Sequence, residues 1–145
     1  MDGCVFAYGT LIFGELMEAL TGSRWPAEPA RLPGYARYRM RGQPYPGIVP
    51  APGASVDGVL YRGLSPLALE LIHRFEADLY DRIAVQVHCI GGLARAAVYV
   101  VPEHRLDQVD DAPWSTEGFA ARGLARYVRG CRSFRAAELR SIGAA

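Results

Sequence analysis

Glu76 is the first residue whose position in the sequence suggests chemistry. It stands at the apolar end of a predicted helix, directly after Phe75. The C-terminus of a helix carries partial negative charge, and partial burial beside an aromatic ring disfavours the ionised carboxylate, so both effects raise the pKa of Glu76. A glutamate with a raised pKa is suited to general acid–base catalysis. The alternative is a structural helix-end glutamate that forms an ion pair with Arg74 or Arg82.

A second candidate is the tetrapeptide Tyr8-Gly9-Thr10-Leu11 near the N-terminus. The apolar run of residues 4–8 predicts a buried strand that Gly9 stops. A chain that leaves a strand and turns through glycine exposes successive backbone amides, and such a turn can hold an anion or a carbonyl oxygen. Most turns of this kind bind nothing, so the tetrapeptide by itself leaves both interpretations open.

Other catalytic classes lack the residues that they require. The histidines, His73, His88 and His104, form no HxH or HExxH pattern, so we predict no metal site. No serine lies in a GxSxG motif, so covalent catalysis by serine is not indicated. The sequence contains no lysine, which excludes a P-loop and a Schiff base. We therefore expect neither a metal nor a cofactor.

The composition narrows the class of partner. Half of the 145 residues are hydrophobic and 21% are charged, which argues against disorder. The apolar runs are shorter than the roughly 18 residues of a membrane span. A net charge of +1 lacks the strong positive field of a nucleic-acid-binding protein. We expect a small-molecule partner, with no nucleic acid and no membrane, and leave the oligomeric state open.

Cysteine usage and the N-terminal sequence bear on location. Cys4, Cys89 and Cys131 are an odd number at wide spacings, which resembles neither a disulfide framework nor a CxxC metal site. Residues 1–9 show no charged-then-apolar leader. Both features predict a reducing compartment, the cytoplasm.

The elements that must position these residues are short strands interrupted by helices. Hydrophobic alternation predicts strands at residues 4–8, 35–40, 48–49, 56–62, 83–88 and 96–101. Three prolines between residues 24 and 33 predict a surface connection without long regular structure. Helices are predicted at residues 15–20, from Ser65-Pro66 to about Glu76, and at about residues 115–135 after the capping residue Ser115.

This order of elements predicts the fold class. Strands and helices do not alternate regularly, which favours α+β over a doubly wound sheet. Six or seven short strands leave few residues for connections, and a small mixed β-barrel with flanking helices removes the exposed sheet edges. A length of 145 residues is typical of one domain, which we place at residues 1–145.

The last predicted helix has two distinct faces. Its apolar stripe would consist of Phe119, Gly123, Leu124, Tyr127, Cys131 and Phe134. Between residues 122 and 140 the chain has six arginines and a single acid, Glu138, so the opposite face is basic. This basic face is interpreted either as a solvated surface or as a contact site for an acidic partner.

Five segments in this order resemble the gamma-glutamylcyclotransferase-like superfamily. They are VFAYGTL at 5–11, YPGIVP at 45–50, VDGVLY at 56–61, Phe75-Glu76 with Tyr80 and Arg82, and AVYV at 97–100. The C-terminal aromatic residues are similar to the helix of the plant avirulence-induced-gene branch of that superfamily. The resemblance covers most of residues 5–101.

The resemblance implies a fold and a site. The fold would be a small mixed β-barrel with flanking helices, and its cavity would lie where the turn at Tyr8-Gly9-Thr10-Leu11 meets Glu76. Backbone amides of that turn would hold a γ-glutamyl group, and Glu76 would be the catalytic acid–base residue. We also predict that Tyr45 and Tyr80, which lie in the matched segments, contact the substrate.

Two positions depart from the family pattern. His73 stands where an aspartate is common, three residues before the catalytic glutamate, and Ala77 stands where a glycine often follows it. His73 lies one helical turn from Glu76, so it could orient the carboxylate or retune it electrostatically.

The expected reaction releases 5-oxoproline from a γ-glutamyl amide, through attack of the substrate α-amino group on its own γ-carbonyl. Glu76 would take a proton from the ammonium and return it to the departing amine. With ordinary pKa values of about 4.3 for Glu and 7.7–8.0 for the α-amino group, this transfer is unfavourable by about 5 kcal/mol. A γ-glutamyl amine or another γ-glutamylated metabolite would use the same residues. The alternative from another class is a non-catalytic module that binds a small molecule or a protein.

Overall fold

The structure is a computed structural model and describes residues 3–143. Its strands are β1 (Val5–Ala7), β2 (Ala27–Arg39), β3 (Pro46–Tyr61), β4 (Asp81–Cys89) and β5 (Gly92–Val100). They form a closed barrel in the order β1-β3-β2-β4-β5, in which every pair is antiparallel except β1 with β5. Closure pairs the two edges that an open sheet would leave exposed.

Helices flank this barrel. They are α1 (Gly14–Thr21), α2 (Pro66–Glu76), α3 (Thr116–Arg122) and α4 (Leu124–Gly143), with short 3₁₀ helices at Thr10–Ile12 and Glu103–Gln108. The α+β class and the barrel with flanking helices are therefore confirmed. Within residues 3–143, no helix is both long and apolar enough to cross a membrane.

The barrel has five strands among the described residues, where we predicted six or seven. The segments 48–49 and 56–62 belong to one strand, β3, which continues through the intervening prolines. Gly53 has φ +85° at this point, a conformation that glycine adopts without the steric penalty of other residues. Because prolines and a glycine separate its two apolar runs, we predicted two strands where the structure forms one.

The prediction that residues 24–33 lack regular structure is wrong, because most of this segment belongs to β2. Pro29 lies opposite Val59 in the register with β3, and the register shifts between Pro33 and Tyr35. The second neighbour, β4, pairs with β2 only at Ala30 and Arg31. A strand tolerates proline at a β-bulge or at a position where no neighbouring strand accepts a hydrogen bond from the backbone N–H. Strand β2 has both kinds of position.

The C-terminal helix predicted at about residues 115–135 is two helices. Gly123, with φ −138° and ψ −9°, separates α3 from α4. Ser115 caps α3, since its hydroxyl accepts a hydrogen bond from the Gly118 amide at 3.0 Å. The second helix, α4, extends beyond the predicted end to residue 143, and residues 144 and 145 lie outside the described part.

Local signals at three other places are confirmed. The Ser65 hydroxyl accepts from the Ala68 amide at 3.1 Å, and α2 begins at Pro66 and ends at Glu76. The helix predicted at residues 15–20 is α1, and it is followed by the C-cap residue Gly22, which has φ +87°. The strands predicted at residues 83–88 and 96–101 lie in β4 and β5, which pair as an antiparallel hairpin. The end of α2 consequently places Glu76 beside the barrel.

Candidate active site

A cavity of about 440 Å³ lies between the barrel and the helices. Its wall combines the end of β1 and the following turn, the start of β3, the end of α2 and one face of α4. The lining side chains are mostly apolar or aromatic, as is usual for a small-molecule site. The lining residues are Val5, Phe6, Ala7, Tyr8, Gly9, Thr10, Leu11, Tyr45, Pro46, Phe75, Glu76, Leu79, Tyr80, Tyr99, Arg126, Tyr127, Gly130, Cys131 and Phe134.

The structure brings together the residues that we predicted to be catalytic or to contact the substrate. Glu76, Tyr45 and Tyr80 line the same cavity as the turn at residues 8–11. These residues come from segments separated by more than 30 positions in the chain, and barrel closure places them at one site. Across residues 3–143, no three His, Cys, Asp or Glu side chains are grouped so that they could hold a metal ion.

Glu76 carries the dominant electrostatic feature of the cavity. Burial raises the pKa of its carboxyl group from 4.5 to about 8. The helix-end ion pair considered above does not form: Arg74 contacts Glu70 at 2.7 Å and Glu138 at 2.8 Å instead. In the described part of the chain, Glu76 has no ion-pair partner. The carboxyl group is therefore mostly protonated at neutral pH.

The turn after β1 lines the same cavity and carries backbone amides that can act as donors. Its first 3₁₀ bond runs from the Ile12 amide to the Gly9 carbonyl at 3.0 Å. The amides of Gly9, Thr10 and Leu11 donate to no acceptor within residues 3–143, as expected for the first turn of a helix. Thr10 and Leu11 are buried, with 8% and 6% of their surface exposed. A ligand oxygen in the cavity could accept hydrogen bonds from them.

Side chains from the barrel hold this turn in place through hydrogen bonds to its carbonyl groups. The Tyr61 hydroxyl donates to the Leu11 carbonyl at 2.6 Å, and Arg37 Nη1 donates to the Tyr8 carbonyl at 2.7 Å. The Tyr8 hydroxyl in turn donates to the Tyr99 carbonyl at 2.6 Å. Because the carbonyls are occupied and the amides are free, the turn is held in an orientation that can receive an acceptor.

The loop before β3 forms another part of the wall. The Tyr80 hydroxyl donates to the Pro46 carbonyl at 2.6 Å, and Trp114 Nε1 donates to the Pro44 carbonyl at 2.7 Å. The rings of Tyr45 and Tyr80 meet edge to face, with centroids 6.3 Å apart. Since its hydroxyl is engaged, Tyr80 supports the loop and offers its ring to the cavity.

His73 lies beside the site and does not line it. Its ring stacks on Tyr99 with centroids 6.3 Å apart, and its buried Nδ1 atom has no hydrogen-bond partner among the described residues. The raised pKa of Glu76 has burial as its cause. The structure thus gives no support to a role of His73 in retuning the carboxylate.

Several residues of the site were not identified from the sequence. Arg37 and Tyr61 hold the turn, and their contacts join residues 29 and 50 positions apart. The apolar stripe of the last helix did indicate an inward face with Tyr127, but it left out Arg126 and Gly130, which also line the cavity. No local sequence signal distinguishes these two residues from the exposed residues around them on the helix.

Comparison with known proteins identifies the fold and the family. The family described as "Gamma-glutamyl cyclotransferase, AIG2-like" matches residues 5–116. Protein AIG2 C of Arabidopsis thaliana is 32% identical over 83 residues, which are 57% of this chain and 50% of that protein, so the chain spans about half the length of the curated relatives it matches.

Solved structures share the architecture. A solution structure of an Arabidopsis thaliana protein has a TM-score of 0.67 at 25% identity and covers 92% of this chain and 81% of its own. A structure named gamma-glutamyl cyclotransferase has a TM-score of 0.63 at 20% identity and covers 91% of this chain and 87% of its own. At this identity the second likeness shows the fold alone. From the family match over residues 5–116, the chain belongs to the AIG2-like gamma-glutamyl cyclotransferase family.

Proposed function

We propose that this protein is a γ-glutamyl cyclotransferase that releases 5-oxoproline from a γ-glutamyl amide without a cofactor. The observation that carries the proposal is the pairing, in one largely apolar cavity, of the protonated Glu76 carboxyl group with the free amides of residues 9–11. One group can move protons, and the other can stabilise a developing oxyanion. Family membership supports the same reaction class.

The pKa of Glu76 matches the proton transfer that the reaction needs. The substrate α-amino group has a pKa of about 7.7–8.0 and must lose a proton before it can attack. An ordinary glutamate would oppose that transfer by about 5 kcal/mol, whereas the pKa of about 8 at Glu76 makes it nearly neutral. In the productive complex, Glu76 and the substrate amine therefore share one transferable proton. It can reside on the amine, as ammonium, or on Glu76, as the carboxylic acid.

The reaction then proceeds with all atoms accounted for. The free amine forms a C–N bond with the γ-carbonyl carbon, and the carbonyl electron pair moves to oxygen, where the amides of residues 9–11 stabilise it. Collapse of this intermediate re-forms the carbonyl and breaks the bond to the leaving nitrogen. The attacking nitrogen starts as an ammonium group and loses two protons, and the leaving nitrogen gains two protons and departs as an ammonium group. Glu76 transfers these protons one at a time and returns to its starting protonation state. Holding amine and carbonyl at attack distance supplies the remaining rate enhancement.

A substrate acetylated on the α-amino group tests the mechanism. Acetylation removes the nucleophile and leaves the γ-carbonyl and leaving group intact. We expect 5-oxoproline, read by mass spectrometry, from at least one member of a panel of γ-glutamyl compounds, and neither ring closure nor amine release from its acetylated form. The Glu76→Gln variant serves as the inactive control.

Two outcomes would contradict the proposal. Release of the amine from the acetylated compound at a rate near that of the free one would identify an amide hydrolase in which Glu76 activates water. Binding of γ-glutamyl compounds without turnover of any of them would identify a non-catalytic binding module.

A further inference from the structure

One wall of the cavity comes from a part of the chain outside the family match. The match ends at residue 116, whereas α4 comprises Leu124–Gly143. This helix packs on the rest of the protein through Cys131, which is 1% exposed, and through an edge-to-face contact between Phe134 and Phe75 at 5.3 Å. Because this wall lies outside the sequence region that the family shares, its residues are candidates for determining selectivity.

Arg126 is the cation in this wall. It is exposed although it lines the cavity, so it lies at the mouth rather than at the floor. It takes part in none of the ion pairs formed by residues 3–143. Glu76 is the acidic residue in the described lining, and its carboxyl group is held neutral by burial. The guanidinium of Arg126 is thus available to an anion from outside.

Gly130 lies one turn further along the same face of α4 and also lines the cavity. A Cβ atom at this position would have no neighbouring atom within 4 Å. Glycine inside a helix costs about 1 kcal/mol relative to alanine, and no crowding here compensates for that cost. The missing side chain leaves open space beside Arg126 at the mouth.

The buried part of the cavity, around Thr10 and Leu11, suits the γ-glutamyl group itself. The free amides of the turn include those of Thr10 and Leu11, which are 8% and 6% exposed. In the proposed reaction, the α-ammonium must reach Glu76, and the α-carboxylate is attached to the same carbon. Both charged groups of the acyl part therefore lie deep in the cavity, and the remainder of the leaving group extends toward the mouth.

The cavity has room for more than the acyl part. Its volume of about 440 Å³ corresponds to roughly 15 water molecules at about 30 Å³ each. A γ-glutamyl acyl group has about nine non-hydrogen atoms, which fill only part of this space. The remaining wall, which includes Leu79, Tyr127 and Phe134, is apolar, and burial raises the pKa of the Tyr127 hydroxyl to about 12.

We propose that Arg126 and Gly130 form a leaving-group subsite in which Arg126 binds a carboxylate and Gly130 admits an apolar side chain. The preferred substrate is then a γ-glutamyl dipeptide whose second residue has an apolar side chain and a free carboxylate. This inference rests on the proposed function, because it assigns the mouth of the cavity to the leaving group of that reaction.

A pair of substrates that differ only in the carboxylate tests Arg126. γ-Glutamyl-phenylalanine carries the leaving-group carboxylate, and γ-glutamyl-phenethylamide lacks it. We expect Arg126→Gln to lower kcat/KM for the first by about tenfold, as for loss of one charge-assisted hydrogen bond, and to change it less than about twofold for the second. Arg129→Gln, an exposed arginine of α4 that does not line the cavity, is the matched control and should change neither.

Gly130→Leu tests the space beside Arg126. We expect kcat/KM to fall for γ-glutamyl-phenylalanine and to stay within about twofold for γ-glutamyl-glycine, whose side chain is a hydrogen atom. Gly130→Ala should raise the melting temperature, which shows that substitution at this position is compatible with folding. An equal loss on both substrates in either test overturns the subsite, since Arg126 or Gly130 would then act on the acyl group or on the fold.

Binding measurements separate this inference from the proposed function. Failure of the proposed function would appear as no 5-oxoproline from any compound. In the Glu76→Gln background, calorimetry should still show tighter binding of γ-glutamyl-phenylalanine than of γ-glutamyl-phenethylamide, and Arg126→Gln should remove that difference. Equal binding of the two compounds, or no binding of either, overturns the inference whether or not the enzyme turns over.

Discussion

Replacement of Glu76 by glutamine should stabilise the protein, relative to the wild type, increasingly as pH rises. The folded state holds a proton on this carboxyl group because burial raises its pKa from 4.5 to about 8. The unfolded chain releases that proton near pH 4.5. Between these two values the folded state binds more protons than the unfolded state, so stability falls as pH rises. Glutamine has no proton to lose and avoids this pH-dependent cost.

The size of the effect follows from the two pKa values. The cost is absent below about pH 4.5, increases by about 1.36 kcal/mol for each pH unit, and reaches about 3 kcal/mol at pH 7 and at most about 5 kcal/mol above pH 8. Water that enters the cavity would solvate the carboxylate, so these figures are upper limits. A buried glutamine amide also has a cost, but that cost does not depend on pH. The diagnostic quantity is thus the change with pH.

Urea unfolding of the wild type and of Glu76→Gln at pH 5 and pH 8 measures this quantity. We expect the free energy of unfolding of the variant, relative to the wild type, to rise by about 3–4 kcal/mol between the two pH values. Glu70→Gln is the matched control on the same helix, because Glu70 is exposed and Arg74 lowers the pKa of its carboxyl group. The difference between that control and the wild type should stay constant over this pH range.

A constant difference for Glu76→Gln as well would refute the reasoning. Glu76 would then be ionised at neutral pH in the folded protein, and the matched proton transfer in the proposed mechanism would be lost. In the activity assay the same variant should lose about 100- to 10,000-fold in kcat, as is typical when a general acid–base group is removed. Near-normal turnover by a folded variant would exclude Glu76 from the mechanism.

Three further predictions concern the same site. The pH profile of kcat/KM should rise as Glu76 loses its proton near pH 8 and fall once the free substrate amine is deprotonated; a profile flat from pH 5 to 8 contradicts the raised pKa of Glu76. Gly9→Ala places a Cβ 2.9 Å from Pro46 Cγ and should raise KM about tenfold. The control Gly91→Ala, whose Cβ would meet no atom within 4 Å, should leave KM unchanged. A wild-type KM for Gly9→Ala would show that the turn is not part of the site. Tyr80→Phe leaves the Pro46 carbonyl without its donor and should cost about 1–2 kcal/mol in urea unfolding, and an unchanged midpoint would contradict this.

Features set by neighbouring residues were predictable from the sequence. The start of α2 follows from a capping hydroxyl and a proline, and the β4–β5 hairpin follows from strict alternation around a glycine turn. The end of α2 at Glu76, which fixes the position of the carboxyl group, follows from the apolar periodicity of that helix. Each of these signals lies within a few residues of the structure that it specifies.

The errors in the fold arose where distant pairing overrides local preference. Prolines in β2 argued for a surface connection, but β2 pairs with β3 along most of its length and with β4 only briefly. That arrangement leaves positions where the missing N–H of proline costs no hydrogen bond. Which edge of a strand is left free depends on barrel order, and barrel order cannot be obtained from the local pattern.

The same distinction between local and distant determinants applies to the site. The turn at residues 8–11 and Glu76 are recognisable from their own sequence, but the groups that orient the turn are Arg37 and Tyr61, far away in the chain. Periodicity predicted that Tyr127 faces inward without showing that it meets a cavity. An arginine at the mouth, such as Arg126, is indistinguishable by sequence from its neighbours on the solvated face of the same helix.

The histidine at position 73 matters less to the strength of the base than the family pattern suggests. An aspartate one helical turn before Glu76 would raise the pKa of the glutamate by repulsion between like charges. In this protein His73 stacks on Tyr99, and burial alone raises that pKa to about 8. The pKa of Glu76 then depends on how well the cavity walls exclude water, and α4 forms one of those walls through Cys131 and other residues. The helix that we propose selects the leaving group therefore also helps to shield the carboxyl group of Glu76 from water.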